Sequence, residues 1–228
     1  MATPKKLYIL ACFTVVAIWQ INLPYLFYFI YPLNLLATWS HEMGHGITAM
    51  LLGGEFSHLK IYLNGSGVAY YRSSSDLSNA ITAAGGLLGP CIIGFIMVSN
   101  IKSEKSAGYI LGILSVSLLI SLALFVRNPS GIGIVVVLAL LIYGLNFLKG
   151  RIKIFAAQFL SAQLMLSPLQ NWRYLFMEQA NVGGKIIKSD VSQIASNFFL
   201  PIPSFAWGIF IAFLTLFLFT LSLKDKTQ

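Results

Sequence analysis

Five long, uncharged apolar segments constrain the fold of this 228-residue chain more than any other feature. They are residues 77–99, 107–126, 131–148, 154–172 and 204–223. A helix needs about 20 apolar residues to cross the hydrocarbon core of a bilayer, and each segment is close to that length. Only 10% of the residues are charged, whereas a soluble domain typically carries about 25%. The sequence therefore predicts a polytopic membrane protein of the all-α class.

Two further apolar segments, 7–22 and 30–52, raise the expected number of transmembrane helices to about six or seven. After the second helix come two short β-favouring runs, 57–63 and 68–73, joined by an Asn-Gly-containing turn. This pattern predicts a small β-hairpin at the membrane surface. The other extended polar connection, 177–203, is expected on the same side of the membrane. No linker marks a second unit, so we expect a single membrane-embedded domain over the whole chain.

The basic residues are clustered beside the apolar segments and give the chain a net charge of +8. Examples are Lys102 and Lys105, and the cluster of Lys149, Arg151 and Lys153. Cationic side chains at such positions contact anionic lipid headgroups, so the lipid bilayer is an expected partner. Basic residues are not interleaved with stacking aromatics, so nucleic acid is not expected as a partner.

The second predicted helix contains the sequence His-Glu-Met-Gly-His at residues 41–45. Positions i and i+4 share one face of a helix, so His41 and His45 can bind the same metal ion. Glu42 can then act as the general base toward a metal-activated water. Two imidazole ligands suit zinc. The motif predicts a Zn²⁺ site with two histidine ligands and one catalytic glutamate.

Coincidence is the alternative interpretation, because a histidine on an apolar helix is often only a packed core residue. The position of the motif argues against it. A carboxylate at the centre of a membrane helix costs about 2.5–3.5 kcal/mol, so Glu42 needs a partner or a function there. Gly44 and Gly46 flank His45 and would let a second helix or a substrate backbone approach closely. The context therefore favours the metal site.

Around this motif the sequence resembles the site-2 protease family of intramembrane zinc metalloproteases, and most closely its compact bacterial and plastid-type branch. The segments that carry the resemblance are SHEMGHGITAMLLGG (40–54), NGSGVAYY (64–71), AAGGLLGP (83–90), FLSAQLMLSPLQNWRYLF (159–176), KSDVSQIA (188–195) and PSFAWGIF (203–210). The resemblance implies a metallopeptidase-like domain that takes part in regulated intramembrane proteolysis. It also implies a multi-pass protein of the bacterial cell membrane.

In this family the two histidines of the motif bind zinc, its glutamate is the base, and an aspartate from a later helix is the third ligand. Asn171 occupies the position where that aspartate is expected, but an amide oxygen is a weaker zinc ligand than a carboxylate. Asp190 is the other candidate. Both residues also have non-ligand interpretations, since Asn171 could be a polar group at a helix end and Asp190 an N-cap. The third ligand is therefore Asn171 or Asp190.

Three functions are compatible with these features. The first is a zinc-dependent endopeptidase that cleaves a membrane protein or peptide, with Glu42 as the base. The second is a catalytically inactive relative with a binding or regulatory role, which Asn171 favours. The third is a transporter, but it would need polar residues on facing helices, and the segments 107–126 and 131–148 offer few. The sequence favours the endopeptidase.

Overall fold

The computed structural model describes residues 4–20 and 26–224, which form eight α-helices and four β-strands. The elements are α1 (Pro4–Gln20), α2 (Leu26–Leu51), β1 (Glu55–Ile61), β2 (Gly67–Arg72), α3 (Asp76–Asn100), α4 (Glu104–Leu124), α5 (Pro129–Gly144), α6 (Gly150–Gln170), β3 (Gln179–Val182), β4 (Lys185–Lys188), α7 (Asp190–Asn197) and α8 (Ser204–Leu223). Short 3₁₀ turns follow α5 and α6. The seven long helices lie at the seven predicted segments, which confirms the all-α fold class. The β3–β4 hairpin and the short helix α7 were not predicted.

Five of the described helices, α3, α4, α5, α6 and α8, are long and apolar enough to cross a membrane. They correspond to the five uncharged segments. Their outer faces expose large apolar side chains such as Ile113, Leu140 and Phe213, which are 62%, 65% and 62% exposed. Such exposure would be costly in water but not in hydrocarbon. The protein is therefore an integral multi-pass membrane protein. Of the two other long helices, α1 has only 17 residues and α2 carries the polar motif.

A glycine-rich contact brings α3 against α2, the helix that carries the motif. A side chain at Gly44 would overlap the Gly85 carbonyl, and a side chain at Gly85 would overlap Thr48. Farther along, a Cβ atom at Gly89 would lie 3.0 Å from the Ser40 carbonyl oxygen. Small residues let two helix backbones approach closely, which stabilises helix pairs in membranes through van der Waals packing. The small-residue face of the third helix is thus a packing surface for the motif helix.

The predicted hairpin is present as β1 and β2, which pair antiparallel with a bulge between Phe56 and His58. Gly53, with φ of +76°, reverses the chain after α2, so the hairpin runs back along that helix. Near its base a side chain at Gly46 would overlap the Phe56 ring. Near its tip the Tyr31 hydroxyl of α2 donates to the Leu63 carbonyl at 2.6 Å. The hairpin therefore lies alongside the metal-motif helix rather than beyond its end.

The connection between α4 and α5 pairs with the edge of β1 that faces away from β2. The Leu59 amide donates to the Phe125 carbonyl at 2.9 Å, and the Arg127 amide donates to the Leu59 carbonyl at 3.1 Å. The Asn128 side chain accepts from the Ile61 amide at 3.1 Å and donates to the Ile61 carbonyl at 2.7 Å. Both edges of β1 are occupied. Among the described strands, the outer edge of β2 has no strand partner.

The second hairpin and α7 complete the side of the molecule that carries the first hairpin. A side chain at Gly183, in the β3–β4 turn, would meet the Tyr62 ring near the tip of the first hairpin. Helix α7 follows β4, and Val191 and Ile194 anchor it by packing with buried residues of α3 and α8. The Ser189 hydroxyl caps α7 by accepting from the Ser192 amide at 3.3 Å. The N-cap role considered for the next residue, Asp190, therefore belongs to Ser189.

Candidate metal centre

The two histidines of the motif and one aspartate converge in the interior of the protein. His41 Nε2 lies 3.0 Å from Asp190 Oδ2, and His45 Nε2 lies 3.3 Å from Asp190 Oδ1. The two Nε2 atoms are 3.1 Å apart. All three donor atoms lie within 4.8 Å of one another. The side chains come from α2 and from the first position of α7, which are about 150 residues apart in sequence.

The spacing of these atoms fits a zinc ion. Zinc–nitrogen and zinc–oxygen bonds of about 2.0–2.2 Å place the ligands of a tetrahedral site about 3.3–3.5 Å apart. The two Nε2 atoms are 3.1 Å apart, and each lies 3.0 or 3.3 Å from a different oxygen of Asp190. With one ligand atom taken from each residue, all separations stay within 4.8 Å, so a small adjustment of the Asp190 carboxylate would complete the site. Two imidazoles and one carboxylate are also a donor set that catalytic zinc sites use, with the fourth position left for water or substrate. Both the geometry and the chemistry of the cluster therefore suit the metal.

His45 is oriented for metal binding by a backbone carbonyl of α3. Its Nδ1 atom lies 2.9 Å from the Thr82 carbonyl oxygen. A carbonyl can only accept, so Nδ1 carries the hydrogen and the lone pair of Nε2 faces the cluster. The Tyr71 ring of β2 stacks on the imidazole, with ring centroids 5.8 Å apart. The glycine-rich contact between α2 and α3 thus serves the site, because it brings the Thr82 carbonyl within reach.

Gly86 leaves the space that the His45 ring occupies, so we predict that Gly86→Ala impairs metal binding. A methyl group at this position would overlap the imidazole, and the ring cannot move without leaving the cluster. We expect zinc affinity to fall by at least the ~10–100-fold that the loss of an orienting contact costs. The measurement is zinc content and affinity of the purified protein. Gly112→Ala on α4 is the control, because nothing lies within 4 Å of that position, and equal losses in both variants would contradict the prediction.

Two groups around the cluster, outside the membrane-spanning segments, have shifted pKa values. Burial raises the pKa of Asp190, but the charge of a protonated His45 and hydrogen bonds from both imidazoles lower it more. The net result is a pKa below the usual range, which keeps the carboxyl in the ionised form that binds metals. Zinc would displace the protons of both Nε2 atoms when it binds. Burial raises the pKa of Tyr71, and the carboxylates of Asp190 and Glu42 raise it further. Its phenol therefore stays protonated and lies 3.4 Å from Gln193 Oε1 on α7.

Glu42 lies beside the ligand cluster but is not part of it. Its side chain is buried and points toward the start of β2, where a Cβ atom at Gly67 would come within 2.7 Å of the carboxylate. The Glu42 side chain thus contacts the first hairpin at Gly67. A base in this position can act on a water held at the cluster without being a ligand itself.

An open cavity of about 460 Å³ adjoins the cluster and is lined by His41 and Glu42. Its other walls come from α3, the tip of the first hairpin, the segment from the end of α6 to Met177, and β3. Ligand sites typically have volumes of about 300–1,000 Å³. The cavity therefore offers a substrate-sized space beside the candidate metal ligands and the candidate base.

Asn171, the other candidate for the third ligand, lines the same cavity at the end of α6. Its side-chain nitrogen lies 3.5 Å from the Ser167 carbonyl oxygen. The contacts with both imidazoles come from Asp190 instead. From the sequence, Asn171 and Asp190 were both candidates for the third ligand.

Two other residues beside the cluster were not predicted from the sequence. Thr82 acts through its backbone and so leaves no signal in residue type. The Tyr174 hydroxyl donates to Asp190 at 2.9 Å.

The fold and the site define a class of protein: a polytopic membrane protein with a partly buried histidine, a buried histidine and a buried aspartate in an arrangement that suits metal binding. A family model described as Peptidase M50B-like matches residues 8–222. The chain belongs to this family, and with it to the site-2 protease family, which confirms the resemblance found in the sequence. No curated protein and no solved structure matches the chain.

Proposed function

We propose that this protein is a zinc-dependent intramembrane endopeptidase that cleaves membrane-associated protein substrates. The observation that carries the proposal is the convergence of His41, His45 and Asp190 beside Glu42 and an open cavity. Three protein ligands, an open side and an adjacent glutamate are the parts that zinc-assisted hydrolysis of an amide requires. Membership of the Peptidase M50B-like family supports the same reaction.

The residues divide the chemistry between them. Zinc, when bound, supplies a Lewis acid and lowers the pKa of water to about 7. His41, His45 and Asp190 hold the ion, and the Thr82 carbonyl keeps the His45 ring in the required tautomer. Glu42 accepts a proton from the attacking water and delivers it to the departing amine. Burial of Glu42, His45 and Asp190 strengthens these electrostatic interactions.

The outer edge of β2 is suited to hold the substrate. This strand begins against Glu42 at Gly67 and reaches His45 through Tyr71. A transmembrane helix must unwind before its peptide bonds can be cleaved, and unwinding inside a membrane exposes backbone groups that need new partners. An extended segment added to the β2 edge would recover such hydrogen bonds while its scissile bond faces the cluster.

The two alternative functions have less support. An inactive relative was favoured by the neutral amide at Asn171, but Asp190 supplies a carboxylate at the histidines. A transport pathway would need polar walls along facing helices. Among the described residues, however, the cavity at the cluster has no lining from α4 or α5. The endopeptidase is therefore the function with the most support.

Metal removal tests this proposal directly. We expect the purified protein, reconstituted in vesicles with a membrane-anchored reporter, to lose proteolysis when a chelator removes its zinc. Adding zinc back should restore cleavage, because zinc supplies the Lewis acid that activates water. The measurement is the amount of cleaved reporter against zinc content. Undiminished cleavage by fully zinc-free protein would refute the zinc dependence.

A further inference from the structure

We propose that Tyr174 is a positioning residue that orients the carboxylate of Asp190 toward the metal site. The inference rests on the proposed zinc site and adds a residue to it. The hydroxyl of Tyr174 donates to Asp190 Oδ2 at 2.9 Å. An ionised carboxylate can only accept, and a phenol has a single hydrogen to donate, so the direction of this bond is defined.

The bond gives the two oxygens of Asp190 different partners. Oδ2 receives the Tyr174 hydroxyl and lies 3.0 Å from His41 Nε2. Oδ1 lies 3.3 Å from His45 Nε2. A hydrogen bond to one carboxylate oxygen fixes the rotation of the group about its last torsion angle and leaves the other oxygen free to bind metal. Outer partners of this kind orient ligands in many metal sites.

Tyr174 is itself firmly placed. It begins the 3₁₀ turn that follows α6, and its amide donates to the Asn171 carbonyl at 2.9 Å. Its ring meets the His41 imidazole edge to face, with centroids 6.1 Å apart. It also packs against the buried apolar cluster shared by α3, α7 and α8. The hydroxyl can therefore act as a fixed reference point for a neighbouring side chain.

Asp190 needs such a fixed neighbour because the helix that carries it, α7, is short and has little stability of its own. Helix α7 has eight residues and directly follows a four-residue strand, β4. Helices this short gain little stability from their own hydrogen bonds and depend on tertiary packing. The backbone of α7 is anchored at Ser189, whose amide donates to the Glu178 carbonyl at 2.9 Å. That contact places the backbone of Asp190 but not its side chain, whose orientation depends on the two imidazoles and on the Tyr174 hydroxyl.

The test compares Tyr174→Phe with Tyr8→Phe as a matched control. Tyr8 is buried, whereas Tyr174 is partly buried. The Tyr8 hydroxyl likewise forms a 2.9 Å hydrogen bond, with Ser222 Oγ, but Tyr8 does not line the cavity of the cluster. We expect Tyr174→Phe to weaken zinc binding by about 10- to 100-fold, the usual effect of losing an outer partner. Tyr8→Phe should leave zinc affinity unchanged. Affinity is measured by chelator competition on protein in detergent.

Two further readouts separate positioning from a general loss of stability. Each variant loses the hydrogen bonds of one tyrosine hydroxyl, so the Tm of the zinc-free protein should fall in both. The rise in Tm on adding zinc should be smaller only in Tyr174→Phe, because zinc stabilises the folded state in proportion to its affinity. In protein loaded with Co²⁺, the visible absorption spectrum should change in Tyr174→Phe and not in Tyr8→Phe.

The outcomes distinguish this inference from the zinc site on which it depends. If Asp190→Ala loses zinc while Tyr174→Phe matches the wild type in affinity and in the Co²⁺ spectrum, the positioning role is wrong and the site stands. Unchanged zinc affinity together with reduced proteolysis in Tyr174→Phe would also overturn it, since the hydroxyl would then act on the substrate. If Asp190→Ala keeps full zinc affinity, both the assigned ligand and the inference fall.

Discussion

Glu42→Gln is expected to abolish cleavage of a membrane-anchored substrate while leaving zinc bound. The carboxylate lies beside the ligand cluster and not within it, so its replacement by an amide of the same shape removes a base without removing a ligand. Loss of a general base typically costs ~10²–10⁴ in rate. The measurement pairs the cleavage rate of reconstituted protein with the zinc content of the same sample.

Glu178→Gln provides the matched control for this experiment. Glu178 allows the same carboxylate-to-amide change at an exposed position. Its backbone carbonyl accepts a hydrogen bond from the Ser189 amide, and the substitution leaves that carbonyl in place. It should retain both proteolysis and zinc. Proteolysis that survives in Glu42→Gln with zinc bound would exclude this residue as the base. If neither the wild type nor the variant cleaves any substrate while both hold zinc, the inactive relative becomes the better description.

Asp190→Ala is expected to abolish tight zinc binding, whereas Asn171→Asp should change it little. Asp190 contacts both imidazoles directly, and removing a ligand should cost more than the ~10–100-fold that follows the loss of an outer partner. A carboxylate at residue 171 would enter the cavity but would not replace a ligand that is already in place. Zinc affinity is measured by chelator competition and zinc content by elemental analysis.

Asp76→Ala is a closely matched control for this prediction. Asp76 also stands at the first position of a helix after a serine N-cap, but it is exposed at the start of α3. Its replacement should cost a little helix stability through the macrodipole and nothing in zinc affinity. The opposite pattern, in which Asn171→Asp tightens zinc binding and Asp190→Ala keeps it, would assign the third ligand to the end of α6.

The sequence predicted the parts of this protein that depend on local patterns. Uncharged apolar segments of bilayer length predicted the long helices, and these are present. A turn sequence between two β-favouring runs predicted the first hairpin, because strand pairing across a short turn is local. The spacing of His41 and His45 predicted that both would reach one point, since a helix fixes the relation between positions i and i+4.

The parts that the sequence did not predict are those built from contacts between distant segments. The β3–β4 hairpin and α7 are short and polar, and their stability depends on packing against other elements. Their sequence propensities alone therefore predicted only an extended polar connection over residues 177–203. The direction of the first hairpin along α2 depends on contacts such as the one between Tyr31 and Leu63. The α4–α5 connection pairs with the outer edge of β1, so among the described strands of this hairpin only the outer edge of β2 is left without a strand partner.

The sequence by itself determined the membrane class, the order of the long helices, and a motif that places two histidines and a glutamate on one helix. Only the tertiary structure brought Asp190, and not Asn171, into contact with both histidines, and only it placed Tyr174 and the Thr82 carbonyl beside this cluster. The physical reason is that the spacing of two side chains within one helix follows from backbone geometry, whereas Asp190 comes from a segment about 150 residues later in the chain. Its position is set by how α7 packs on α3 and α8.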